Sequence, residues 1–308
     1  MTSLLWFYGI FGGALGLGLG LRRWQAAAPG LMRFSILALD TPLFIYSYWS
    51  VDLARARLYA PIPIIATLLV VLTLWLSPLW AKRLLPDERS QGSFILTAAF
   101  SNIGTTGGAF LCYLFFGLEG LSLAYLFLLP YPILIFTLGF NTARRYSGSG
   151  PLRPHEYLTR LASDLISLVP LLAIALGLGL NVAGLKPPAA LATGVGWFMK
   201  VSLACNCLAI GLTLSPRELI PPVKAFLAEA SIKFLLSPLA GLILALAVYG
   251  SLAPLPSRII LIQSAMPPAM YAVITTNLFG LDRKLANSLW LALSLGFLPL
   301  AALGWLLR

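Results

Sequence analysis

Charge is scarce in this sequence. Only 10% of its 308 residues are Asp, Glu, Lys or Arg, where a soluble domain carries roughly a quarter, and the stretch 61–80 holds none. A soluble fold of this length would leave its surface uncovered, so most of the chain must face lipid or other buried helices. Histidine occurs once, as His155 in a polar connection, where it reads as a solvated loop residue. Cysteine occurs as Cys112, Cys205 and Cys207, each inside an apolar segment where a free thiol behaves as a small hydrophobe. So few ligands give neither a disulfide framework nor a metal cluster. The carboxylates are few and dispersed, which argues against an enzyme; no catalytic residue, metal or organic cofactor is expected.

Apolar sequence is abundant, at 59%. It falls into ten candidate spans, residues 3–21, 31–49, 58–80, 92–112, 119–140, 161–181, 189–214, 223–249, 256–279 and 284–306. The first lacks the basic region and small-residue cleavage site of a removable leader, so it reads as a span. The net charge of +11 comes with no basic run or aromatic-basic face suited to nucleic acid. The excess is sided instead. Alternate connections place Arg22, Arg23, Arg33, Lys82, Arg83, Arg89, Arg144, Arg145, Arg153, Arg160, Arg217, Lys224, Arg283 and Lys284 on one side. The other side receives Arg55, Arg57, Lys186, Lys200, Arg258 and Arg308. By the positive-inside rule the first side is cytoplasmic, both termini face outward and the number of spans is even. Contact with anionic lipid is a secondary role for the same cations.

The one long polar connection, residues 143–160, divides the chain into a first five-helix half, 1–142, and a second, 161–308. An odd number of spans per half inverts the second, and inverted repeats commonly frame a transport site near the bilayer midplane. Weak internal similarity follows. Phe116-Gly117-Leu118-Glu119 recurs as Phe279-Gly280-Leu281-Asp282, and at the same offset Ser101 meets Ser264. A slightly longer offset aligns Asp52-Leu53 with Glu218-Leu219 and Asp40 with Asn206.

Upstream of each Phe-Gly-Leu element the span carries helix-disrupting residues. In the fourth span they are Ser101-Asn102-Ile103-Gly104-Thr105-Thr106-Gly107-Gly108, and in the ninth Ser264-Ala265-Met266-Pro267-Pro268-Ala269. Proline removes a backbone donor, and each helical glycine costs roughly 1 kcal/mol. Glycine and proline also serve close packing or a simple kink in membrane helices. Matched position in both halves favours two broken helices crossing at a midplane site. The expected architecture is therefore an all-α membrane protein of ten transmembrane helices, two inverted five-helix repeats with broken helices 4 and 9 crossing.

At these residues the sequence resembles the auxin efflux carrier family, whose bacterial members are permeases of this length. The second span, Leu39-Asp40-Thr41-Pro42-Leu43-Phe44-Ile45, follows Arg22-Arg23 as that family's second helix follows its basic loop. Phe100-Ser101-Asn102-Ile103-Gly104 through Phe116-Gly117 is similar to its fourth helix, here without the proline expected after the glycines. Ile232-Lys233-Phe234-Leu235-Leu236-Ser237-Pro238 matches its eighth helix, and Ala265-Met266-Pro267-Pro268-Ala269 its ninth. The resemblance implies a fold related to the sodium and bile-acid symporters, and export or exchange of small organic anions such as carboxylates or auxin-like acids. It places the protein in a bacterial inner or plasma membrane, with lipid and an organic anion as partners and room for a homodimer.

Physics points to an anion as well, because two half-helix N-termini would each offer free amides and about half a positive charge. The expected substrate residues are Asn102, Gly104, Thr105 and Thr106 from one half and Gln263, Ser264, Met266 and Pro267 from the other. Asp40, amid an apolar span, costs at least ~2.5 kcal/mol if ionised there. It is either a coupling site for sodium or a proton, with Ser101, Thr105 and Ser264 nearby, or a buried acid bonded to Thr41 or backbone. Asn206 bonds either substrate or a neighbouring helix. Glu229 and Lys233, four apart, form either a structural ion pair or, through Lys233, positive potential on an anion path. Asp164 reads as an interfacial or capping acid. A sensor or structural protein that shares a transporter fold stays open as the alternative class.

Overall fold

The computed structural model describes residues 2–150, 165–214 and 220–306; His155, Asp164 and Glu218 lie outside the described residues. Every regular element within them is helical. In chain order these are α1 (Thr2–Gly20), α2 (Arg22–Trp49), α3 (Leu53–Leu84), α4 (Glu88–Ala99), α5 (residues 108–116) and α6 (residues 118–147). They continue with α7 (Leu165–Val182), α8 (Ala189–Thr213), α9 (Val223–Tyr249), α10 (Leu255–Ser264), α11 (Met270–Leu278) and α12 (Arg283–Leu306). Among the described residues, α2, α3, the run Gly108–Ser147, α8 and α9 are each long and apolar enough to cross a membrane. Leu5–Gly20 and Leu168–Val182 are shorter apolar helices.

Local chemistry sets the ends. Asp87 caps α4 by accepting from the Ser90 amide at 2.9 Å, and that amide holds its carboxyl below the usual carboxylate range. The α6 helix runs to Ser147, into the segment expected as a connection, and ends on Gly148 at φ 77. Within α2, α6 and α9 a π turn widens the helix, at Ser35–Asp40, Ile135–Gly139 and Ile232–Leu236. In α2 and α9 a proline follows, Pro42 and Pro238, which lacks an N–H and presses on the carbonyl four residues back. The extra residue relieves that clash. Asp40 and Lys233, both buried, sit in these two widened turns.

The helices pack in two groups. In one, α1 lies on α8, and α2 on α7 and α8. Glycine permits the α1–α8 approach, since a Cβ on Gly18 would lie 2.7 Å from the Gly211 Cα. In the other group α3 packs on α4, α9 on α10, α10 on the run Gly108–Leu128, and α4 on α6, α11 and α12. The groups touch where α2 meets α6: Tyr48 OH donates to the Tyr125 carbonyl at 2.5 Å, and the Ser50 and Ser122 hydroxyls lie 2.8 Å apart.

Candidate functional site

The fourth and ninth expected spans are both interrupted. Between α4 and α5 the chain extends at Phe100 (φ −97°, ψ 124°) and turns through Gly107 (φ −154°, ψ −106°). Between α10 and α11 it extends at Ala269 (φ −73°, ψ 143°). The two breaks satisfy one another. The Asn102 amide donates to the Pro267 carbonyl at 2.7 Å and the Ala269 amide to the Phe100 carbonyl at 2.8 Å, an antiparallel bridge centred on Ser101 and Pro268. Pro267 and Pro268 have no N–H to give, so the exchange uses a carbonyl on one and the amide after the other. Unpaired backbone in a membrane interior is costly, and this mutual pairing offsets it.

Asn102 organises the first break. Thr106 Oγ1 donates to its Oδ1 at 2.8 Å, its Nδ2 donates to the Thr106 carbonyl at 3.3 Å, and its own carbonyl accepts from the Gly108 amide at 2.8 Å. The amides of Gly104, Thr105 and Thr106, just before α5, receive no backbone acceptor.

A cavity of about 150 Å³ lies against these amides, between the two packing groups. Asn102, Gly104, Thr105, Thr106, Asp40 and Asn206 all line it. Phe44, Tyr125, Phe136 and Tyr271 supply ring faces, and Met270 brings the start of α11. Asp40 is not bonded to Thr41, whose hydroxyl donates to the Ile36 carbonyl at 3.0 Å. Its Oδ1 accepts instead from Ser202 Oγ at 2.6 Å and Thr105 Oγ1 at 3.0 Å. Asn206 Nδ2 donates to Ser35 Oγ at 2.6 Å and to the Ser202 carbonyl at 2.9 Å. Asn206 Nδ2 also lies 3.2 Å from Ser202 Oγ, so the acid and the amide share that hydroxyl.

The second half contributes differently from expectation. Gln263, Ser264, Met266 and Pro267 do not line this cavity; Ala269, Met270, Tyr271 and Ile274 do. The reason is the path of the chain: α10 ends with Gln263 and Ser264 turned behind the break, and the cavity wall resumes only at Ala269. Gln263 Nε2 donates to the Ile103 carbonyl at 3.1 Å, while its Oε1 has no partner. Gln263 and Ser264 line a second cavity of about 10 Å³ with Thr73, Ser101, Tyr131 and Ser237, room for about one water.

Glu229 and Lys233 also lie behind the break and do not pair directly. No ion pair within 4.0 Å joins the two. Lys233 Nζ donates to Ser101 Oγ at 2.8 Å, and Glu229 Oε2 accepts from Thr97 Oγ1 at 3.0 Å. Tyr131, which accepts from the Ser101 amide at 2.8 Å, and the hydroxyls of Ser35 and Ser202 escaped the sequence reading. Serine in an apolar helix normally bonds its own preceding turn, so its spacing carries no signal.

Known proteins share this chain's pattern. Residues 27–303 match the profile of a family described as membrane transport protein. An uncharacterized transporter of Methanocaldococcus jannaschii is 22% identical over 274 residues, 88% of this chain and 86% of that protein. An uncharacterized transporter of Methanothermobacter thermautotrophicus is 27% identical over 263 residues, 85% of this chain and 82% of its own.

Proposed function

The chain belongs to the membrane transport protein family, that of the auxin efflux carriers, and on that premise we propose that it is a secondary transporter moving a small organic anion by alternating access. That it is an integral membrane transporter follows from the family and its apolar helices. The observation that carries the finer reading is the pair of interrupted helices joined back to back, with a cavity before them bounded by the starts of α5 and α11. Each half-helix N-terminus is worth about half a positive charge and offers free amides to an anion. Unwound backbone is tolerated at membrane depth where it lines such a cavity. The aromatic walls suit a monocarboxylate with an apolar body.

We read the chain as ten spans in two inverted halves, α4–α5 and α10–α11 being the fourth and ninth and crossing near the midplane. The repeat is supported by Gly117 and Gly280, the aligned glycines of the two Phe-Gly-Leu elements, which both take positive φ, 66° and 63°. Because the cavity lies between two packing groups, rocking one against the other would open it to either face in turn.

The test is a thermal-unfolding screen of purified protein with benzoate, phenylacetate, lactate and malate. A ligand at 100 times its Kd stabilises by about 2.7 kcal/mol. The aromatic acids should stabilise the wild type, and Asn102→Ala and Gly104→Ala should lose that stabilisation while remaining folded. Normal binding and transport by both variants would refute the site.

A further inference from the structure

Asp40 joins the two packing groups at the cavity. It stands on α2 with 8% exposure, and its Oδ1 accepts from Ser202 on α8, in its own group, and from Thr105 in the break of the other. The bond from Thr105 therefore crosses from one group to the other. Among the described residues, Asp40 is also the one Asp, Glu, Lys, Arg or His that lines the cavity.

Its titratable neighbours are Tyr125 of α6 and Cys205 of α8, and neither supplies a cation. The described part of α7 carries no ionisable side chain. Lys233, the buried cation nearest the break, is on its far side and bonded to Ser101. An organic anion beside an ionised Asp40 would therefore put two negative charges in one small apolar-walled cavity without a facing cation. With one proton added, a single negative charge faces two helix N-termini.

We propose that Asp40 carries a coupling proton, taken up together with the organic anion, so that the pair moves as a unit. The inference rests on the anion reading of this cavity. A sodium ion fits the cluster poorly. The Thr105 and Ser202 hydroxyls donate to Asp40, and Asn206 turns its amide N–H groups toward Ser35 and Ser202. The amide N–H groups are donors where a hard cation needs oxygen lone pairs, and Asp40 is the one carboxylate among the described residues lining the cavity. The bond from Thr105 supplies the coupling: Asp40 holds the break while the site is empty, and its protonation changes what Thr105 meets.

Calorimetric titration of the full chain in detergent with benzoate, in two buffers of different ionisation enthalpy, counts the protons taken up on binding. Wild type should take up close to one proton per benzoate. Its apparent Kd should rise about tenfold per pH unit once Asp40 is ionised in the free protein. Asp40→Asn should bind benzoate with a Kd independent of pH and take up none. The wild-type count stands whether or not the variant folds. Binding to wild type without proton uptake, or uptake retained in the variant, overturns the proposal while leaving the anion site intact. Binding that needs sodium in place of choline and takes up no proton overturns it in favour of a cation. If benzoate and phenylacetate bind neither protein, the anion reading fails and this coupling fails with it.

Discussion

Lys233 and Ser101 meet behind the first break, the ammonium donating to the hydroxyl at 2.8 Å with 1% and 8% exposure. One turn earlier on α9, Glu229 holds Thr97 of α4 and leaves its second oxygen unpartnered. Two ionisable side chains on one helix therefore each fasten the interrupted span. Lys233→Met removes a charge-assisted bond worth about 1.5–3 kcal/mol, and it leaves the Glu229 carboxyl buried without a cation on its own helix. Adding Glu229→Gln should recover part of the loss. Thermal unfolding of the single and double variants measures the coupling; equal losses in both would show that the charges act independently.

Two glycines of the first break should respond in opposite ways. A Cβ on Gly108 would run into Gln263 Oε1 and lie 3.0 Å from Met266 Cγ, whereas nothing lies within 4 Å of one on Gly104. Gly108→Ala should cost about 1–3 kcal/mol, the usual range for overpacking. Gly104→Ala should keep its thermal stability and lose stabilisation by benzoate, because the added methyl borders the cavity. A stable Gly108→Ala, or an unfolded Gly104→Ala, contradicts this packing.

The breaks were legible because their causes are local: clustered glycine and paired proline disfavour helix whatever surrounds them. Asp40 and Asn206 were singled out by their types in apolar spans, and the structure gives them a shared partner in Ser202. Partner choice was not. Spacing on α9 suggested that Glu229 pairs with Lys233, but Thr97 and Ser101 sit closer to their heads, and tertiary contact overrides a helical neighbour worth only a few tenths of a kcal/mol. The placement of Gln263 and Ser264 on the second cavity was not legible for a related reason: the side on which a residue emerges from a broken helix depends on backbone angles at the break, which residue type constrains only loosely.

The aligned glycines of the Phe-Gly-Leu elements differ in what they tolerate. Gly280 ends α11 with its amide on the Asn277 carbonyl at 3.3 Å and the next amide on Thr276 at 2.9 Å, a Schellman cap. Gly117 has φ 66° and ψ −149°, a region essentially closed to other residues. No atom lies within 4 Å of a Cβ at either site, so backbone strain alone decides the outcome. Alanine should cost about 1–3 kcal/mol at Gly117 and about 1–2 kcal/mol at Gly280. Asparagine should recover stability at Gly280, where left-handed backbone suits it, and not at Gly117. Thermal unfolding of the four variants decides; rescue at both sites would remove the distinction.

Orientation in the membrane can be tested at two exposed serines. Arg144 ties the end of α6 to the following turn, its Nε donating to the Gly150 carbonyl at 2.7 Å and its Nη2 to that of Ser149 at 2.9 Å. Arg145 stands beside it, so this end collects cations, and the positive-inside rule predicts that it faces the cytoplasm. Ser251 follows Gly250 at the end of α9, three spans after Ser149, and should face the other way. Cys112, Cys205 and Cys207 are free thiols and are replaced first to give a silent background. A membrane-impermeant maleimide should then label Ser149→Cys only in inside-out vesicles and Ser251→Cys only in right-side-out ones. Labelling of both from one face would break the ten-span count, since the three spans read between them, α7, α8 and α9, put the two positions on opposite faces. Reversed labelling would keep the count and the inverted halves and would overturn only the orientation, showing that the cation bias does not set it here.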